Sequence, residues 1–126
     1  VSDLTALLSD DHKFESHYSL SMIAPWPAGA DIFAERSPIN HAEEISSPLL
    51  VLQGAIDPVV PPAHSEKIVG ALRANGLPVG YIEFEGEGHG YRRSENIVRA
   101  IEAELWFYGA VLGFEPADEI EPVEIS

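Results

Sequence analysis

Cysteine is absent from this 126-residue chain. That excludes a disulfide framework and a thiolate nucleophile, and it fits a reducing, cytoplasmic setting. Basic residues are scarce: 7 Lys and Arg stand against 21 Asp and Glu, for a net charge of −14. Nucleic acid and anionic membrane surfaces both demand a basic footprint, so neither is an expected partner. No apolar run approaches the roughly 20 residues of a membrane span. No secretory leader is visible. Methionine occurs once, at Met22, and the first residue is Val1, so the chain reads as a cut or processed piece of a longer protein. There is no internal repeat.

What is present suits one globular domain: 45% of the residues are hydrophobic, an ordinary share for a packed core. The first third reads as helix and loop. Ser2-Asp3 can cap a short helix over Leu4–Leu8, and Asp10-Asp11 a second through Lys13–Ile23, ended by Pro25 and Pro27. Ala30–Arg36 forms another turn or two before Pro38. Ser37–Asn40 is a turn, and His41–Ile45 a short helical turn.

The centre of the chain is organised differently. Leu49–Gln53 is a continuously apolar strand, as expected where helices cover both faces of a sheet. Gly54–Pro62 is a loop carrying one carboxylate, Asp57. Ala63–Asn75 is a helix closed by Gly76. Val79–Phe84 is a second strand. Glu85–Tyr91 is a loop carrying one imidazole, His89, between Gly88 and Gly90, which suit a tight turn. Strand, helix, strand is a parallel βαβ unit, and parallel strands deliver both loops to the same sheet edge. An acid and an imidazole at one edge are two parts of a nucleophile–base–acid triad.

Ser94 is expected to cap the last helix, which runs to Leu112 and ends at Gly113. Its stripe of Ile97, Ile101, Leu105, Tyr108 and Leu112 keeps helical spacing and is expected to lie on the sheet. Residues 115–126 mix Pro with acidic side chains and read as a disordered tail.

Other readings of the same residues are plainer. An Asp before Pro58 commonly starts a turn, and a loop histidine is commonly just exposed. His12, His17, His41 and His64 lack the spacing of a metal site. Glu85 and Glu87 alternate at a strand end and are expected on one solvated face rather than as a glycosidase pair. Arg92-Arg93 could hold a substrate carboxylate but are expected to pair with Glu95 or Glu102. Trp106 and Phe107 read as packing residues.

Three segments together, GAIDPVVPP, FEGEGHGY and RRSENIVRAIEAELWFYGAVLGF, resemble the C-terminal part of the catalytic domain of prolyl-oligopeptidase-type serine peptidases. The similarity is to the acylaminoacyl-peptidase and dipeptidyl-aminopeptidase branch, and VSDLTALL and HKFESHY resemble it too. The resemblance runs to Phe114. It implies an α/β class, with residues 1–114 the C-terminal portion of an α/β-hydrolase fold. It makes Asp57 the triad acid and His89 the triad base, in the nucleophile–acid–histidine order of that fold. It implies no metal or organic cofactor, and a short or N-blocked peptide as substrate.

One part is missing. The nucleophile of such enzymes stands in a GxSxG elbow, and no serine here has that flanking pattern; Ser65 and Ser94 read as helix-start residues. The elbow, the oxyanion hole and the family's β-propeller are expected upstream of Val1. The chain alone is therefore expected to be inactive. Its first strand would lack a neighbour, and such an edge invites association with the missing part or between two copies. Two alternatives share these residues: a non-catalytic assembly or binding module, and an esterase or lipase.

Overall fold

The computed structural model describes residues 1–10 and 17–126. Helix α1 spans Leu4–Asp10, α2 Tyr18–Met22 and α3 Ala30–Glu35, followed by a kinked 3₁₀ segment over Pro38–Glu44. The remaining elements are β1 (Leu49–Gly54), α4 (Pro62–Ala74), β2 (Val79–Phe84) and α5 (Ser94–Leu112). Of the second expected helix, the start at Lys13 lies outside the described residues, as does His12.

The expected βαβ unit is present. β1 and β2 pair in parallel, in register from Leu49 opposite Val79 to Gly54 opposite Phe84. The crossover between them is α4. Its inner face is apolar at helical spacing, and Ile68, Val69 and Leu72 are buried with Val79 and Ala42 in the main core. Ile39, in the 3₁₀ segment, Ile45, just after it, and Leu49, Val51 and Tyr81, from the sheet, pack around that cluster. The N-terminal segment is tied to this layer by side chains. Asp3 accepts the Ala6 N–H at 2.9 Å and so caps α1, as its sequence position suggests. Ser2 donates its hydroxyl to the His64 carbonyl at 2.6 Å, and Lys67 reaches Asp3 at 2.5 Å.

Helix α5 covers the opposite face of the sheet, with a register other than the one expected. Ala100, Ala103, Phe107 and Gly109 are its buried residues. The stripe of Ile97, Ile101, Leu105, Tyr108 and Leu112 is exposed. Small side chains explain the difference: two alanines let the helix approach closely, and one aromatic ring fills the gap, while Gly109 makes room for the chain returning at Phe114 and Pro116. Nor does Ser94 cap α5. Arg93 is the N-cap residue, with no side-chain cap bond of its own.

Residues 115–126 differ from the disordered tail that their composition suggests. Ser126 donates its N–H to the Val79 carbonyl at 3.1 Å, and the Val79 N–H donates to the Ser126 carbonyl at 3.0 Å. Val123 is buried, and Ile125 bridges Gly80 in antiparallel sense. Arg99 donates to the carbonyls of Glu121 and Pro122 at 2.8 and 3.1 Å. The glycine at position 80 makes this seat available, because a Cβ there would stand 2.9 Å from a Val123 methyl. The free edge of β2 is thus covered, whereas the outer edge of β1 has no partner strand among the described residues.

Candidate active site

The loops that carry Asp57 and His89 leave the C-terminal ends of their strands, so the parallel pairing brings them side by side. The approach is close. A Cβ on Gly54 would stand 2.3 Å from the Gly88 carbonyl oxygen and 2.6 Å from that of Glu87, a separation only glycine permits. The Ile56 N–H donates to the Glu87 carbonyl at 2.9 Å, a direct backbone tie between the loops.

Asp57 and His89 meet across this seam. Nδ1 of His89 lies 2.9 Å from Oδ2 of Asp57. A carboxylate only accepts, so Nδ1 carries the proton, and Nε2 of the neutral ring keeps its lone pair. The other Asp57 oxygen, Oδ1, accepts the N–H groups of Val59 and Val60 at 2.8 and 2.9 Å. Burial pushes the Asp57 carboxyl up, but the Val60 N–H, the His89 ring and the Val59 N–H outweigh it and hold it below its ordinary value. The pair is asymmetric in exposure: the Asp57 side chain is 8% exposed and that of His89 57%. The carboxylate is thus anchored in the interior while the ring stays accessible to solvent.

Gln53, at the end of β1, braces the acid loop. Its buried amide donates to the carbonyls of Gly54 at 2.9 Å and Val60 at 3.1 Å, and the Ser65 hydroxyl donates to its Oε1 at 2.5 Å. Val60 is held on both sides, by Gln53 at its carbonyl and by Asp57 at its N–H.

Ser65 lines a cavity of about 450 Å³ shared with Asp57, His89, Tyr91 and β1 at Leu50–Gly54. Its hydroxyl is committed to Gln53, and Nε2 of His89 has no hydrogen-bond partner among the described residues.

The two glutamates of the histidine loop do not share a face. Glu85 is exposed, whereas Glu87 is 1% exposed. Gly86, with φ +73°, turns the chain between them and breaks the strand alternation from which a common solvated face was expected. Glu87 Oε1 accepts the Asn96 side-chain amide at 2.8 Å and the Arg93 N–H at 3.0 Å, and its Oε2 accepts the Arg92 N–H at 2.8 Å. Led by the Asn96 bond, these donors hold its carboxyl below its ordinary value. The expected pairing of Arg92 and Arg93 with Glu95 or Glu102 is not formed; it is their backbone that is engaged. Gly90 takes the left-handed φ of +103°, while Gly88 does not. Of the remaining histidines, His17 is exposed beside α2, His64 is buried in α4, and His41 bonds Glu44 at 3.1 Å. Phe107 packs in the interior.

The model of the prolyl oligopeptidase family matches residues 1–115, and the chain belongs to that family. It is 49% identical to dipeptidyl aminopeptidase BIII of Pseudoxanthomonas mexicana over 69 residues, 55% of this chain and 10% of that protein. It is 37% identical to the esterase LipC of Mycobacterium tuberculosis over 62 residues, 48% of this chain and 15% of the other. The solved structure of a puromycin-hydrolyzing peptidase from Mycobacterium tuberculosis superposes with a TM-score of 0.95 at 45% identity, covering 100% of this chain and 19% of that one. The parallel βαβ unit with its flanking helices is the C-terminal portion of an α/β-hydrolase fold. The chain spans a fifth or less of the length of these relatives.

Proposed function

We propose that this chain is the acid-and-histidine portion of a serine peptidase that hydrolyses short or N-blocked peptides by acyl transfer. The observation that carries the reading is the 2.9 Å bond from His89 Nδ1 to Asp57, beside a cavity that both residues line. In this reading residues outside 1–126 supply the serine. His89 Nε2 takes the serine proton as its oxygen attacks the peptide carbonyl, then returns it to the departing amine. Asp57 holds the ring in that tautomer and stabilises the imidazolium. The reaction calls for no metal or organic cofactor, and a cytoplasmic setting accords with the cysteine-free composition. Residues 1–114 form the hydrolase part. The outer edge of β1, without a partner strand among the described residues, favours association, with the rest of the catalytic domain or between two copies.

The test is turnover of a dipeptide anilide and an activated ester by the natural protein carrying this chain, and by the 126-residue chain alone. His89→Ala in the former is expected to lower kcat by about a thousandfold or more, and the latter to be inactive. A silent His89→Ala would remove the histidine from the mechanism. Turnover by the chain alone that depends on His89 would place the nucleophile within residues 1–126. The similarity to the esterase LipC favours one second reading, an esterase with the same triad. A preference for the ester far beyond its greater intrinsic reactivity would support it.

A further inference from the structure

Glu87 touches the histidine loop on both sides. Through its main chain it holds the incoming side: its N–H donates to the Phe84 carbonyl at 3.2 Å, and its carbonyl accepts the Ile56 N–H at 2.9 Å. Through its side chain it holds the outgoing side, taking the N–H groups of Arg92 and Arg93 just before α5. Residues 88–91 are therefore a closed loop with both ends tied to one residue, and His89 stands inside it. Gly88 and Gly90 bridge across the base of the loop, and the Tyr91 ring packs on Phe84 with centroids 4.6 Å apart. A carboxylate suits this place. Three donors converge on it, none of which finds another acceptor there, and the start of α5 favours negative charge.

We propose that Glu87 is the positioning residue of the dyad: its carboxylate clasps the histidine loop shut and so holds His89 on Asp57. The role does not involve contact with substrate. Its consequence for catalysis rests on the peptidase reading above, but the clasp itself does not. Gln in place of Glu87 keeps the shape while turning one oxygen into an NH₂, which must then face a donor. If the amide occupies the Oε2 position it meets the Arg92 N–H; in the Oε1 position it meets the Arg93 N–H.

The experiment uses the full 126-residue chain labelled with ¹⁵N, and reads the tautomer of the neutral His89 ring from its two-bond ¹H–¹⁵N correlations. No activity is needed, so the result is independent of whether the peptidase reading holds. In the wild-type chain the Nδ1–H form is expected to dominate. In Glu87→Gln the ratio of Nδ1–H to Nε2–H is expected to fall about tenfold, the loss of about one charge-assisted hydrogen bond, while amide protection in the β1–β2 ladder stays as in wild type. An unchanged ratio in a folded Glu87→Gln chain would overturn the proposal. Where that variant loses the ladder as well, Asn96→Ala decides. It removes one of the three donors and leaves the backbone pair, so a smaller fall with an intact ladder supports the clasp and an unchanged ratio refutes it.

Discussion

Asp57 spends each of its oxygens differently, Oδ2 on the His89 ring and Oδ1 on two backbone N–H groups. Because its carboxyl is held below its ordinary value despite burial, its ionised form stabilises the folded chain. The sign follows from linkage. The contribution is full above the unfolded carboxylate value of about 3.9 and is lost as pH falls through the lower folded value. Urea unfolding of wild type and Asp57→Asn should therefore differ by about 1–3 kcal/mol near neutral pH, with the gap closing in acid. A gap independent of pH would mean that the carboxylate charge is not what the loop uses.

At this scale Asp57 and His89 were legible, since each follows an apolar run and sits among the Gly and Pro residues of a turn. Glu87 was not. Strand alternation put it beside Glu85, and only the left-handed turn at Gly86 sends it inward. A glycine between two glutamates was the available signal, but a glycine is compatible with many backbone paths.

Among the elements, α5 separates what periodicity can and cannot tell. Its sequence offers two apolar faces. The broad one, through Ile101 and Leu105, has the bulkier side chains, and the narrow one, through Ala100, Ala103 and Phe107, meets the sheet. Helical spacing identified the helix but could not choose between faces, because the choice depends on how closely the backbones approach. Phe107→Ala is expected to cost about 3–5 kcal/mol in unfolding free energy. Ile101→Gln, at a position 63% exposed, should stay within about 0.5 kcal/mol. Equal costs would mean that the exposed stripe is covered in the isolated chain. The C-terminal segment teaches a related lesson. Acidic and proline-rich composition points to disorder, yet an edge strand with unpaired N–H and C=O groups provides a partner that composition does not register. Position 80 needed to be small for that segment to seat, a requirement visible only once β2 and Val123 face each other.

For the whole molecule, the feature with most consequence is a strand edge without a partner among the described residues, beside Asp57 and His89. The tail covers β2, but among the described residues β1 has no second partner along the wall of the cavity that Asp57 and His89 line. With a net charge of −14 opposing self-contact, association through that edge should strengthen with added salt. Sedimentation of the chain over a hundredfold concentration range, at low and moderate ionic strength, is expected to show a concentration-dependent dimer; a strictly monomeric profile under both conditions would count against it.

In the proposed peptidase, Asp57 and His89 activate a serine that lies outside these 126 residues. The most direct measurement is labelling of the natural protein by a fluorophosphonate, which reacts with activated serines, with the modified residue located by mass spectrometry. One labelled serine beyond residues 1–126, with a labelling rate that falls about a thousandfold in His89→Ala, is the result expected. A labelled serine within the chain, or labelling indifferent to His89, would contradict the account.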